Sequence, residues 1–284
     1  NAVDRLARAL EAGTGSELFA YLPWAVRNRL SNLTATPYQH QYTVDGSPSV
    51  GDVNYGGAWR TMLVSGMNAG APGLFALDVS NPANFTEARA AQVVRWEIGE
   101  SDGDVGYIFG RPLLVKTRDG RWRAIVGNGY NSANGHAVLL LVDLETGAIS
   151  RIDTGVGTAG NPNGLSSVAV VSTQDNGVAD VAYAGDLYGN LWKFDLSAST
   201  PAGWTVAYGS AASPLPLFTA AAGQAITARP DVTRFPKGGY LVAVGSGRYV
   251  DISDNAAGST QAIYGIWDNG APVAQANLQT QSIV

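Results

Sequence analysis

A glycine that closes a β-branched run recurs at a nearly fixed interval, and this interval limits the possible folds more than any other feature of the chain. The runs are TMLVSG ending at Gly66, RAIVG at Gly127, VAYAG at Gly185 and LVAVG at Gly245, spaced 61, 58 and 60 residues apart. A second series follows the first: apolar strands ending in an acid at Asp78 (FALD), Asp143 (LLVD), Asp195 (WKFD) and Asp268 (GIWD), with Glu11 (ARALE) in the same slot near the start. Ahead of each glycine run stands another short strand, SPSVGDV, GRPLLVKT, LSSVAVVS or ARPDVTRF, which places Pro48, Pro112 and Pro230 inside first strands. Self-similarity at such a period marks a repeat architecture. About four short strands per unit is the blade of a β-propeller.

Physical reasoning separates this fold from its competitors. A lone four-stranded antiparallel sheet cannot bury both of its apolar faces, so it must stack on neighbours. The runs AVLLLV and YLVAV are apolar almost without interruption. Strands with one solvated face alternate, whereas strands covered on both faces do not need to. A doubly wound α/β fold needs amphipathic helices between its strands, and the one candidate helix is Trp24 to Leu33, with Val26, Leu30 and Leu33 at helical spacing behind Pro23. One short helix cannot cover a parallel sheet. The expected fold class is therefore all-β, a propeller of four-stranded antiparallel blades.

The repeat divides the chain into four units, at about 43–106, 107–163, 164–224 and 225–284, within a single propeller segment. Two trailing strands, Leu6 to Ala12 and Ser16 to Pro23, read as the end of an earlier blade, and insertions fall at Thr34 to Gly46 and Asn81 to Ala91. The first unit lacks a blade to close upon, and the chain starts at Asn1 with no leader. Both features lead to the expectation of an internal fragment, partial at its N-terminus and also at its C-terminus.

The densest stretch runs from Asn163 to Asp195, with strands expected at Leu165 to Ser172, Val178 to Gly185 and Gly189 to Asp195. Between the first two lies Ser172-Thr-Gln-Asp-Asn-Gly-Val-Ala-Asp180, which has the outline of a calcium loop. Polar side chains stand at positions 1, 3 and 5, glycine at 6, a carbonyl at 7 and an acid at 9. The ligands would be Ser172, Gln174, Asn176, the Val178 carbonyl and Asp180. With a single carboxylate in that ring, repulsion in the empty loop is small and little offsets the cost of dehydrating Ca2+. The expectation is a loop that folds with or without the ion and binds it weakly. The competing reading is an ordinary tight turn shaped by Gly177.

The same stretch carries a family resemblance. NGLSSVAVV, the Asp/Asn loop with GVAD, and YAGDLYGNLWKFD resemble the C-terminal propeller of the PilC/PilY type IV pilus tip adhesin and biogenesis family. ELFAYLP, GLFALDVSNP, GYIFGRPLLV, GNGYNS, HAVLLLVDLETG, GSGRY and YGIWDNG follow in the family's order over nearly the whole chain. The resemblance implies a protein exported to the bacterial outer surface, at the pilus tip or in the periplasm or outer membrane. It implies action in pilus extension and retraction, surface attachment and twitching motility. Minor pilins of the tip complex and host or abiotic surfaces are the implied partners. Related pilus proteins place acids or asparagines at loop positions 1, 3 and 5, and Ser172 and Gln174 depart from that pattern.

Composition and motifs exclude other classes. The 284 residues are 45% hydrophobic and 14% charged, with net charge −5 and no basic run, so a nucleic-acid partner is not expected. Cysteine is absent, which removes disulfides and thiolate metal sites. The longest apolar run, Ala137 to Val142, is six residues, too short to cross a bilayer as a helix. No GxSxG elbow occurs, nor a GxGxxG or GxxxxGK(S/T) glycine loop ahead of a helix, so no catalytic residues, no enzyme activity and no organic cofactor are expected. Two acidic turns, Asp102-Gly-Asp104 and Asp251 to Asn255, read as turns first and cation sites second. His40 and His136 lack a metal-ligand partner at short spacing, and His136 reads as a hydrogen-bonded structural residue. Two alternative functions stay open. LARALEAGTG and LLLVDLETG resemble blades of quinoprotein dehydrogenases, although SELFAY and AISRID lack the docking tryptophan of those enzymes. An outer-membrane assembly scaffold with similar blades is the other.

Overall fold

In the computed structural model, residues 7–256 and 260–281 are described. The chain folds as a β-propeller whose blades follow one another in sequence order. An N-terminal hairpin, β1 (Ala7–Leu10) with β2 (Glu17–Tyr21), leads into 3-10 turns over Trp24–Thr34. These turns occupy the segment expected as a helix; Leu6 and the Leu33 side chain lie outside the described set. The first blade is the meander β3 (Ser49–Tyr55), β4 (Ala58–Gly66), β5 (Gly73–Asp78) and β6 (Val94–Gly99). The second is β7 (Leu113–Thr117), β8 (Trp122–Gly127), β9 (His136–Asp143) and β10 (Ile149–Gly157).

The third unit differs from the expected strand plan. Its blade is β11 (Leu165–Val171), then β13 (Val181–Asp186), β14 (Asn190–Asp195) and β15 (Thr205–Val206). The intervening β12 (Val178–Ala179) leaves this sheet and pairs parallel with β7 of the second blade, Val178 facing Lys116 and Ala179 facing Thr117. The second strand therefore starts at Val181 and not at Val178. A hairpin, β16 (Tyr208–Ser210) with β17 (Ser213–Leu215), precedes β18 (Phe218–Thr219), which returns to β14. In the fourth unit, β19 (Asp231–Arg234), β20 (Tyr240–Gly245) and β21 (Ile263–Asp268) make a sheet of three strands among the described residues, one fewer than expected. After β21 the chain crosses back, and Val273 bridges to Phe218 of the third unit.

The core consists of slabs between adjacent sheets. Ala137, Leu139 and Leu141 of β9 face Ala182, Ala184, Trp192 and Phe194 of the third blade. The alternate residues Val138, Leu140 and Val142 face Met62, Val64, Leu74 and Ala76 of the first. This double coverage is why β9 is apolar without a break. A third slab joins Tyr183 and Leu191 to Val242, Val244 and Ile266. A fourth packs Phe75 and Leu77 against Phe19, Tyr21 and Val26 of the N-terminal segment. Glu97 of β6 ties that segment down by accepting bonds from the Tyr21 hydroxyl (2.7 Å) and the Trp24 and Ala25 amides (3.0 and 3.1 Å).

Both repeated residue types have a structural cause. A Cβ on Gly127 would stand 2.1 Å from the Ser166 oxygen and 2.4 Å from the Leu165 oxygen, because the chain entering the next blade crosses directly over it. Gly66 and Gly185 meet Ile108 and Ile226 in the same way, at 2.6 and 2.3 Å from the carbonyl oxygens, whereas Gly245 has nothing within 4 Å. The strand-ending acids accept the amide two residues on: Ser80 for Asp78 (3.0 Å), Glu145 for Asp143 (3.1 Å), Ser197 for Asp195 (2.8 Å) and Gly270 for Asp268 (3.2 Å). Each carboxylate shapes the turn that leaves its strand. Pro48, Pro112 and Pro230 sit one residue before β3, β7 and β19 and not within them. Proline has no amide to give a ladder, so it marks the strand entry.

Candidate functional site

The loop between β11 and β13 gathers groups from three blades. Three of its five sequence-predicted ligands, Ser172, Gln174 and Asn176, are drawn together by hydrogen bonds, whereas Asp180 is engaged elsewhere. Ser172 Oγ donates to Asn176 Oδ1 (3.1 Å), and Asn176 Oδ1 also accepts the Val178 amide (3.0 Å). Gln174 Oε1 lies 3.5 Å from Asn176 Nδ2. Val178 belongs to the parallel bridge with the second blade. Asp180 is buried and faces Thr173, accepting its amide (2.8 Å) and its hydroxyl (2.6 Å).

Positive charge around this loop comes from the protein itself. Arg118, in the β7–β8 turn, brings Nη2 to 4.0 Å from Asp180 Oδ2. Arg234 of β19 donates to the Thr173 carbonyl (3.1 Å) and to Asp175 Oδ2 (2.8 Å). Asp175 adopts a left-handed backbone, φ 54°, a conformation that Asp tolerates better than most residues. A calcium ion requires six to eight converging oxygens. Here the Asp180 carboxylate is engaged by Thr173 and two guanidinium groups stand beside the loop, so an ion would compete with bonds the loop already makes. What the geometry does supply is a strap from the third blade to the second, through β12 and Arg118, and to the fourth, through Arg234.

A second cluster joins the third and fourth blades. Buried Asp268 receives Lys193 Nζ (2.7 Å) and the hydroxyls of Tyr183 (2.5 Å) and Tyr208 (2.6 Å). Burial opposes its ionisation. The bonds from Lys193, Tyr183 and Tyr208, with the Lys193 charge, outweigh burial and hold the carboxyl below the usual range. Burial, then the hydrogen bond to Asp268 and its charge, push both tyrosines well above the ordinary phenol range. These groups are locked in their resting states and suit structure better than proton transfer.

The remaining sequence candidates are paired within the fold. Asp102 and Asp104 both bind Arg151, and Asp104 also accepts from Asn134 (2.7 Å). Asp254 holds Arg248 (2.7 Å) and the Val250 and Asp251 amides. His136 Nδ1 lies 2.9 Å from Asp153, and His40 Nδ1 lies 3.3 Å from the Tyr38 hydroxyl. Among the described residues no three His, Asp or Glu side chains converge as metal ligands, and no helix is long and apolar enough to cross a membrane.

Sequence reasoning missed the two arginines of the strap, since nothing local marks Arg118 or Arg234 as its partners. It also missed the role of Asp186, although the signal was present in YAGDLYGNLW. That buried carboxylate accepts from Asn163 Nδ2, the Tyr188 amide, the Asn190 amide and side chain, and Trp192 Nε1, at 2.8–2.9 Å. The densest stretch of the family phrase is therefore a hydrogen-bonded knot that fixes the blade.

Comparison with known proteins adds the biological setting. The family described as the PilY1 beta-propeller domain matches residues 19–282. The type IV pilus biogenesis factor PilY1 of Pseudomonas aeruginosa is 41% identical over 301 residues, covering 95% of this chain and 25% of that protein. A PilY1 homolog of Xylella fastidiosa is 42% identical over 286 residues, covering 95% of this chain and 19% of its own length. The crystal structure of the P. aeruginosa PilY1 C-terminal domain superposes with a TM-score of 0.80 at 38% identity, over 98% of this chain and 60% of that one. The chain thus spans a quarter or less of the curated relatives' length.

Proposed function

The chain belongs to the PilY1 β-propeller family, and on that premise we propose that it is the non-enzymatic binding and assembly module of a type IV pilus biogenesis factor. It supports pilus extension and retraction, and through them surface attachment and twitching motility. The observation that carries this reading is the 41% identity to a type IV pilus biogenesis factor across 95% of the chain. The site chemistry agrees with it. Buried acids are spent on turns, knots and blade contacts, which makes a rigid platform whose loops are free to vary.

The partners of this platform are minor pilins of the tip complex, and the parent protein acts outside the cytoplasm, at the bacterial surface or in the periplasm. Family membership favours this reading over a quinoprotein dehydrogenase or a general outer-membrane scaffold. The strap at 172–180 works without calcium, with Arg118 and Arg234 supplying the charge beside Asp180 and Asp175. Affinity capture of the purified minor pilins by the immobilised chain tests the binding role. Saturable retention of a minor pilin but not of the major pilin is expected, and no retention of any pilin at micromolar concentration would refute it.

A further inference from the structure

The segments that open the four units meet at one cavity of about 590 Å³, to which each unit contributes lining residues. Its walls include Ser49 and Val50 of β3, Leu113 of β7, Ser167 of β11, and Arg111 and Arg229. The two arginines hold equivalent places in the repeat, each directly before the proline that opens its unit: Arg111-Pro112 ahead of β7 and Arg229-Pro230 ahead of β19. Ser47-Pro48 is the same position in the first unit and lines the same cavity. In the third unit the equivalent residue, Asn163, is turned into the knot with Asp186. Small Ser167 faces the cavity in its place, between the arginine-bearing units.

Like Arg27, Arg29, Arg89 and Arg95, these two arginines form no ion pair with a carboxylate among the described residues, and both line one cavity. Elsewhere Arg60, Arg121, Arg123, Arg151, Arg234 and Arg248 each hold a carboxylate. Arg111 is bonded to a hydroxyl, Nε to Ser49 Oγ at 3.0 Å, and forms no ion pair with a carboxylate among the described residues; neither does Arg229. No acid lines the cavity. A protein of net charge −5 therefore keeps two uncompensated guanidinium groups at one concave surface, where low-dielectric walls focus their field. The same lining includes apolar surface: Phe109, 39% exposed and stacked on Tyr130, with Val50, 55% exposed, and Leu113.

We propose that this axial cavity binds an organic oxyanion, its carboxylate or phosphate head held by Arg111 and Arg229 and its apolar portion lying against Phe109, Val50 and Leu113. Guanidinium groups bind both kinds of head by charge-assisted hydrogen bonds. Ser49 Oγ donates to the Pro112 carbonyl, so the neutral donors left to a ligand are the Ser47 and Ser167 hydroxyls, and the cavity volume falls within the range of small-ligand sites. The site makes no use of the pilus reading and stands or falls separately from it.

Calorimetric titration of the purified chain at low salt tests the assignment, with phenyl phosphate, 3-phenylpropionate, inorganic phosphate and benzylamine as probes. Saturable binding of at least one aryl anion is expected, tighter than that of inorganic phosphate, with no binding of benzylamine. The relative affinities of the two aryl anions decide between a phosphate and a carboxylate head. Arg111→Ala and Arg229→Ala should each weaken binding at least about tenfold, and the double variant should abolish it. If Arg111→Ala perturbs folding through loss of the Ser49 bond, Arg229→Ala alone carries the test, because that side chain has no ion pair to lose among the described residues. No saturable binding of either aryl anion up to about 10 mM, undiminished binding in the arginine variants, or equal binding of benzylamine would overturn the proposal.

Discussion

Replacing Gly127 by alanine should damage the propeller far more than the same replacement at Gly245, although the two glycines hold the same place in the repeat. At Gly127 the added carbon would stand 2.1 Å from the Ser166 oxygen and 2.4 Å from the Leu165 oxygen. Both are backbone atoms of the strand entering the third blade, so no side chain can swing away and the blades must separate. Overpacking of this kind costs about 1–3 kcal/mol, more when the obstacle is rigid, and the upper figure of about 3 is the one that applies here. At Gly245 nothing lies within 4 Å, and alanine there should be neutral or up to about 1 kcal/mol stabilising by restricting the unfolded chain. An unfolding entropy of about 2.1 cal/mol/K per residue over 284 residues comes to about 0.6 kcal/mol/K. Three kcal/mol then lowers the melting temperature by about 5 °C. Differential scanning calorimetry of both variants beside the parent chain reads this directly. Equal melting temperatures for the two variants, or a Gly127→Ala shift below about 1 °C, would refute the crossing-strand explanation of the repeat.

Three sides of the blade contacts can be tested in the same assay. Asp268→Asn should cost about 3 kcal/mol, because Lys193 is left without its ionic partner. Since the Asp268 carboxyl is held below its ordinary value of about 3.9, its contribution is complete at neutral pH and is lost as pH falls below about 4. The parent should therefore lose its advantage over Asp268→Asn in acid, and a stability gap that stayed constant down to pH 2 would contradict the assignment. For the strap, adding 1 mM calcium or excess chelator should move the melting temperature by less than about 1 °C, since a site of about 1 mM affinity would contribute only about 0.4 kcal/mol. A shift of several degrees abolished by Asp180→Ala would show that the loop holds the ion.

The readable parts of this fold are those where one residue type solves a local problem in every unit. Glycine recurs because a neighbouring backbone crosses Gly66, Gly127 and Gly185, and aspartate recurs because each one closes the turn after its strand. Unbroken apolar runs gave away β9, since that strand is covered on both sides. Proline was misplaced by one residue, because strand pattern alone cannot tell the entry from the first ladder position. The loop at 172–180 was legible as a polar turn, but its environment was not. Arg118 and Arg234 approach from other blades, and the pull of β12 toward β7 depends on a sheet edge more than 60 residues earlier in the chain. The axial arginines were equally hidden: each is an ordinary Arg-Pro pair until the repeat places both at one cavity.

The central proposal, that this propeller serves pilus biogenesis, is tested most directly by surface piliation. The measurement is the amount of pilin sheared from cells whose chromosomal copy of the parent gene has been deleted. Cells are complemented either with the intact gene or with one lacking the segment that encodes residues 19–282. The account predicts that the intact gene restores sheared pilin and the deleted form does not, with total cellular pilin equal in both. Equal surface pilin from the two complemented strains, with both proteins present at comparable levels, would contradict it.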